Sequence, residues 1–328
     1  GGRAMRRLIE ETITAGLRAP IPDVVGLAAM DDGAAVRIGD QWLVITTDSH
    51  VVQPYVFPGG DIGRLSIAGT VNDLAMMGAT NVLGLTCAIV VEEGFRKSEL
   101  EMIQRSLLET CDEAGVCILT GDTKVMGRGE VDGIVINTTG IALTEHLIRD
   151  AGLRPGDRIV VTGTVGDHGI ALMAARRGFG FDGDLRSDVA PMRSLVQRVL
   201  EIAPSAISAM KDPTRGGVAS AIHEMAQKSN VGVVLDETAI PLRPVVRAAA
   251  EMLGLDPLHI ANEGKALMGV HPEALDDVLY ALRSHPLGSD AAVIGTCTAE
   301  RAGQVILDTG FGRRLLTEPE GEPVPRIC

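Results

Sequence analysis

Short apolar runs alternate with stretches of helical period along nearly the whole chain, and this alternation restricts it to a layered architecture of helices on sheets. Residues 34–38 and 42–47 read as strands; the Asp31-Asp32-Gly33 turn precedes the first and Asp48 ends the second. The loop Pro58-Gly59-Gly60-Asp61 caps a helix that places Ile62, Leu65, Leu74 and Met77 near helical spacing. Asn72 and Asp73 fall inside that helix, where both lower helix propensity, so a local task is expected of them. Residues 81–91 read as a strand and 97–114 as a charged amphipathic helix. Residues 116–119 form a short strand that delivers Thr120-Gly121-Asp122-Thr123-Lys124, and 131–143 a long strand.

Gly152, Pro155 and Gly156 mark residues 149–157 as a domain boundary. The second half restarts with a strand at 158–162 and a helix after Asp167, followed by a polar excursion over 178–188 and a helix at 192–203. Next comes the loop Met210-Lys211-Asp212-Pro213-Thr214-Arg215-Gly216-Gly217, which opens another helix; strand and helix patterns then recur to residue 307. The expected fold class is α+β, with two α/β domains at 1–150 and 151–312 and a mobile tail at 313–328.

Hydrophobic residues make up 45% of the 328, but aromatics only 2%, so the core must be aliphatic. A net charge of −13 argues against a nucleic-acid or anionic-membrane surface, while clustered acidic residues suit divalent cations. Five irregularly spaced cysteines do not form a disulfide framework, and a reducing cytoplasm is the expected compartment. Four of them, Cys87, Cys111, Cys117 and Cys297, sit in apolar patterns and read as core thiols. No long uncharged apolar run indicates a membrane span. The chain opens Gly1-Gly2-Arg3 directly onto a helical pattern with Met5, Leu8, Ile9, Ile13 and Leu17 on one face, which reads as the end of a longer glycine-rich segment.

The last residues set the chain apart. Glu318-Pro319-Glu320-Gly321-Glu322-Pro323-Val324-Pro325 is acidic and proline-rich, with little to pack, and favours an extended strand. It ends in Arg326-Ile327-Cys328. A thiol on a tether able to reach at most ~50 Å, at ~3.3 Å per residue, could serve a pocket on its own protein and a partner's surface in turn. Neighbouring negative charge would raise the thiol's pKa, and Arg326 would partly offset it.

No glycine-rich stretch ends in Gly-Lys-Ser or Gly-Lys-Thr, so the Walker loop is absent. Gly163-Thr164-Val165-Gly166-Asp167-His168-Gly169 lacks a dinucleotide opening and reads as a tight turn with a helix cap. Asp32, Asp48, Asp73, Asp122 and Asp212 each stand at a turn, strand end or helix, where a carboxylate is commonly a cap or turn former. Together with Asn72 and Lys124 they offer hard oxygen ligands and a cation that could hold a nucleotide through Mg²⁺. His50, near Asp48, is a packed histidine or a substrate contact.

Asp31-Asp32-Gly33, Thr47-Asp48-Ser49, Gly60-Asp61-Ile62-Gly63, Val71-Asn72-Asp73-Leu74, Gly121-Asp122-Thr123-Lys124 and Asp212-Pro213-Thr214-Arg215-Gly216-Gly217 occur in an order that resembles the ATP-using superfamily of aminoimidazole ribonucleotide synthetase, selenophosphate synthetase and thiamine monophosphate kinase. Within it, the Pro-Arg-Ile-Cys ending resembles the hydrogenase maturation factors of the HypE family. The resemblance implies a homodimer that pairs its amino-terminal sheets, with ATP near the interface. It implies Asp32, Asp48, Asp73 and Asp212 as ligands of Mg²⁺, and Asp48, Asn72, Asp73, Gly121, Asp122 and Thr123 as ATP contacts. Cys328, Glu263 and Lys124 would be catalytic. A HypF-type carbamoyltransferase would load Cys328, ATP-dependent dehydration would leave a thiocyanate, and a HypC–HypD-type iron scaffold would receive the cyano group. Two other readings stand beside it: another small-molecule chemistry of the superfamily, with an incidental tail, or an ATP-regulated module whose tail only docks.

Overall fold

The computed structural model describes Ala4, residues 7–14, Gly16, and residues 23–178, 184–321 and 324–328. The opening apolar face differs from expectation. Ile9–Ile13 is one wide π-type turn, Leu8 and Ile13 are exposed, and Met5 and Leu17 lie outside the described residues. Gly1-Gly2-Arg3 and the middle of the 178–188 excursion also lie outside them.

β-Branched and apolar alternation builds a six-stranded sheet from Val24–Val25 (β1), Ala34–Ile38 (β2), Gln41–His50 (β3), Asn81–Glu92 (β6), Ile118–Met126 (β7) and Ile134–Thr144 (β8), in the order β1-β2-β3-β8-β6-β7. All neighbours are antiparallel except β6 and β7. The short hairpin of Val56–Phe57 (β4) and Gly60–Asp61 (β5) leads into helix α1 (Ile62–Met76), whose cap is the Asp61 carboxylate accepting from Arg64 N at 3.0 Å. Helix α1 lies across β3 and β8 and is buried on nearly every side, because the second half of the chain covers its outer face. Helix α2 (Lys97–Ala114) packs beside it and stops at Gly115, whose φ of 64° suits a residue without Cβ.

The second half folds on a seven-stranded sheet of order β10-β12-β9-β13-β11-β14-β15. Its strands are Arg158–Val161 (β9), Ile207–Lys211 (β10), Gly232–Asp236 (β11), Leu267–Val270 (β12), Ala292–Thr298 (β13), Val305–Asp308 (β14) and Arg313–Leu315 (β15). Helices α3 (Asp167–Arg176), α4 (Arg193–Ile202), α5 (Gly217–Ser229), α6 (Pro244–Leu253) and α7 (Leu275–Arg283) complete it. One aliphatic core joins the two halves: Ile67, Leu85 and Ile103 share it with Ile170, Val246 and Ile260. Among the described residues no helix is long and apolar enough to cross a membrane.

Three expectations need correction. The strand read at 116–119 runs on to Met126, so Gly121–Lys124 is strand rather than loop: β6 supplies a parallel partner for its whole length. Gly121 permits this, since a Cβ there would overlap the Cys87 carbonyl oxygen. Cys117, read as a core thiol, is exposed at the start of that edge, whereas Cys87, Cys111 and Cys297 are buried. Arg313–Leu315, read as the start of the tail, is the last strand of the second sheet, held by β14.

Helices α1 and α2 touch at the backbone: a Cβ on Gly63 would overlap the Ile103 carbonyl oxygen. That oxygen cannot swing aside as a side chain would, so Gly63→Ala should destabilise the protein by about 1–3 kcal/mol. A lower urea midpoint at unchanged slope is the expected result; an unchanged midpoint would show that the helices can separate without penalty.

Candidate active site

The two halves meet around a cavity of about 630 Å³, lined by Asp32, Asp48, Asp73, Asp212, Glu263 and Cys328 among others. Each carboxylate arrives on a different element. Asp32 precedes β2, Asp48 lies in β3, Asp73 in α1 and Asp212 just after β10. Thr46 ties the first group together: its hydroxyl is 2.9 Å from the Asp32 carbonyl oxygen and 2.8 Å from Asp73 Oδ2. Downstream of Asp212, the Gly216-Gly217 pair opens α5. These glycines have φ of 80° and 62°, and a Cβ on Gly217 would stand 2.6 Å from the carbonyl oxygens of Leu258 and Ile260.

Crowding governs the electrostatics. Burial first, then the neighbouring charges of Asp212, Asp48 and Asp32, push the Asp73 carboxyl well above its usual range. Asp212 is pushed up to about 6, by burial and by Asp48, against the attraction of Lys211. Asp32 moves in the same direction, chiefly through burial, while Lys211 opposes the shift. Burial alone would lower the Lys211 ammonium, but Asp32, Glu224, Asp150 and Asp212 together hold it well above the ordinary lysine value. Lys211 bonds Asp32 Oδ1 directly and lies 3.5 Å from Glu224 and 3.6 Å from Asp150.

Glu263 is 3% exposed, and its Oε1 has no hydrogen-bond partner. Burial, then Asp212, Asp188 and Asp48, raise its carboxyl well above the usual range. Its main chain is firmly held: Glu263 N donates to Asp188 Oδ1 at 3.1 Å, and Asn72 Nδ2 donates to the Glu263 carbonyl oxygen at 3.2 Å. Asn72 also donates to Ala190 O at 3.1 Å and accepts from Met192 N at 2.7 Å. The amide expected to contact ATP is thus committed to the backbone of the second half.

The tail is packed, against the expectation that it has little to pack. Val324 and Ile327 are each 2% exposed and join the shared aliphatic core, which brings Cys328 to the cavity. Two apolar side chains cannot build a core alone, but they fit a seam that both domains supply. Arg326 is not available to the thiol, because its guanidinium bonds Asp132. Gly121, Asp122, Thr123 and Lys124 do not line the cavity. They lie on β7, three places across the sheet from β3, about 14 Å away at ~4.8 Å per strand. Lys124 and Asp122, both exposed, pair there at 3.3 Å, and this bond with the Thr123 amide lowers the Asp122 carboxyl.

Residues 30–144 match the AIR synthase related protein, N-terminal domain, and residues 154–308 match its C-terminal domain. The carbamoyl dehydratase HypE of Rhizobium leguminosarum bv. viciae is 45% identical over 331 residues, covering 100% of this chain and 93% of that one. The chain belongs to the HypE family. A HypE crystal structure in complex with ATP superposes at a TM-score of 0.84, with 41% identity, over 100% of this chain and 98% of that chain. A HypE–HypF complex structure does so at 0.87, with 39% identity, over 95% and 99%.

In this HypE family member the sequence reading missed Lys211, Arg215 and Glu224, which also line the cavity. Lys211 and Arg215 flank Asp212 in the quoted motif, which was the available signal; Glu224, one helical turn and more into α5, carried none. His50 is a packed histidine, 1% exposed, 3.6 Å from Asp48 Oδ2, with neither ring nitrogen hydrogen-bonded. Among the described residues no three His, Cys, Asp or Glu side chains are already set as a metal-ligand cluster. Mutual repulsion among Asp32, Asp48, Asp73 and Asp212, with Asp32 Oδ2 unpartnered, nevertheless makes the site a fit for a divalent cation.

Asp212 gives a pH test. Its carboxyl titrates near 6 when folded and near 3.8 otherwise, so between those values the folded chain holds a proton that the unfolded chain releases. The stability linked to Asp212 is complete below pH 4 and falls as pH rises through 6, by on the order of 3 kcal/mol. With a chelator present, Asp212→Asn should therefore gain on the parent in thermal stability between pH 4 and pH 7. A gap that stays constant would contradict the crowded-carboxylate account.

Proposed function

We propose that this chain uses ATP to dehydrate an S-carbamoyl group on Cys328 to a thiocyanate, which supplies the cyanide ligand for a [NiFe]-hydrogenase iron. The observation that carries this reading is the presence of Cys328 in the same cavity as Glu263 and the four aspartates. Membership of the HypE family supports it, as do the relatives described as carbamoyl dehydratases and as a HypE–ATP complex. A HypF-type carbamoyltransferase loads the thiol, in keeping with the HypE–HypF complex of a relative. A HypC–HypD-type scaffold receives the cyano group.

Asp32, Asp48, Asp73 and Asp212 would hold Mg²⁺, which would supply charge neutralisation for the phosphate oxygens. In balance, R–S–CO–NH₂ and ATP give R–S–C≡N, ADP, phosphate and a proton: the carbonyl oxygen bonds to the γ-phosphorus, the C–O bond breaks, and nitrogen loses both hydrogens. Glu263, unpartnered at Oε1 and with its carboxyl raised by burial, is placed to take one of those protons. Lys211, whose ammonium is held charged by Asp32, Glu224, Asp150 and Asp212, puts positive charge in the cavity beside them.

Lys124 enters the reaction through a second copy of the chain. β7 is the outer strand of its sheet and exposes Leu119 and Val125, a surface suited to pairing with a partner's sheet in a homodimer. In that arrangement Lys124 of one copy, with Gly121, Asp122 and Thr123, faces the other copy's ATP and stabilises phosphate or imidate charge.

Two measurements test these assignments. By intact mass with a competent carbamoyltransferase, carbamoyl phosphate and MgATP, the parent should gain one carbamoyl group and then lose one water; Cys328→Ala should gain nothing. Glu263→Gln should form the adduct and lose water about 100-fold more slowly. Mixed, refolded dimers of Lys124→Ala and Glu263→Gln should recover dehydration, because one of the two sites then has both residues. No recovery would return Lys124 to its own chain's site and overturn the in-trans reading.

A further inference from the structure

We propose that Arg176 and His168 are positioning residues that hold the tail by its main chain, and that their grip decides whether Cys328 faces the cavity or the solvent. The carbonyl oxygens of the last four residues are all engaged. Arg176 Nη1 donates to Pro325 O at 2.7 Å and Nη2 to Arg326 O at 2.5 Å. His168 Nε2 bonds Ile327 O at 2.9 Å, and Val51 N donates to Cys328 O at 3.2 Å. Gln53 binds the tail from the same side, its N donating to Arg326 O at 3.2 Å, while its own carbonyl oxygen accepts from Arg176 Nε at 2.5 Å.

This grip reads backbone, not side chains. Four successive carbonyls in fixed partners set the register of the chain, and register is what places residue 328. The Ile327 side chain adds the apolar half of the latch: a Cβ on Gly169 of α3 would stand 2.8 Å from Ile327 Cδ1, so this glycine leaves the room that the tail fills. His168 is fully buried and burial lowers its pKa, so the ring is neutral. Since a carbonyl only accepts, Nε2 carries the hydrogen and Nδ1 accepts from the Ser187 hydroxyl at 2.7 Å. Ser187 is followed by Asp188, whose Oδ1 holds Glu263 N. Tail and Glu263 are therefore mounted on one segment.

The consequence for turnover rests on the dehydratase reading; the latch itself does not. Release of Cys328 must break these bonds together and expose Ile327, so the tail exchanges between two states rather than drifting. Arg176 makes two of the tail's bonds, is braced by a third to Gln53 O, and is only partly buried, so its removal opens the latch without unfolding the core.

Alkylation of the full-length chain by iodoacetamide, read by peptide mass, tests the latch without turnover. Cys117 is exposed and serves as the internal reference. Cys87, Cys111 and Cys297 are buried, with Cys111 pushed up to about 11 and Cys297 to about 12 by burial, and their protection reports an intact fold. In Arg176→Ala the Cys328-to-Cys117 rate ratio should rise about ten-fold, with Arg176→Lys between it and the parent. Ile327→Ser, altered only in the tail, should raise the same ratio. With transferase and MgATP, both variants should gain the carbamoyl group at least as fast as the parent and lose water several-fold more slowly, a split that general loosening would not produce. An unchanged alkylation ratio in both variants overturns the latch. A parent that never gains a carbamoyl group would instead remove the dehydratase reading, and the alkylation ratio would still decide the latch.

Discussion

Asp32, Asp73, Asp212 and Glu263 share one largely buried seam with the partly exposed Asp48, and the rest of the molecule is arranged around holding them there. A carboxylate withdrawn from water without a partner is strongly disfavoured, and several together are worse. Lys211 compensates part of this and protonation the remainder, as the raised carboxyls of Asp73, Asp212 and Glu263 record. Such a seam is unfavourable by itself and well matched to a cation with phosphate oxygens on it. The structure thus trades stability at its centre for a site that ligands complete.

Holding acids from opposite halves of the chain in register requires a rigid joint. Asn72 provides much of it, with three hydrogen bonds from a helix of the first half to the backbone of the second, including Glu263 itself. Asp150 provides another: it is fully buried in the connection and bound by Lys228 at 2.5 Å, within reach of Lys211. The shared core, aliphatic apart from Phe57 and the partly buried Tyr55 and Phe95, closes the joint. The tail occupies the same seam, so its position depends on the same packing that aligns the acids.

Much of the architecture was legible because periodicity is a local property. Helix α1 and its Asp61 cap, helix α2 and the strands β2, β3 and β8 follow directly from residue pattern and turn chemistry. The strand from Ile118 to Met126 was cut short because Gly121 and Asp122 read as loop residues, and only the parallel partner β6 makes them strand. The carboxylates stood out individually, and their order carried the family likeness, but spacing along the chain could not bring Asp32 and Asp212 together.

What the sequence determined by itself, then, is the set of elements, the acidic motifs and the thiol at residue 328. Each depends on neighbours a few residues away or on side-chain chemistry alone. Tertiary structure decided the rest: that Asn72 braces the joint, that Lys211 meets Asp32, that Lys124 stands outside the cavity that holds Asp32, Asp48, Asp73 and Asp212, and that Val324 and Ile327 carry the tail inward. These are contacts between residues remote in sequence. They exist only because two sheets and one aliphatic seam close around them, and no local pattern encodes that closure.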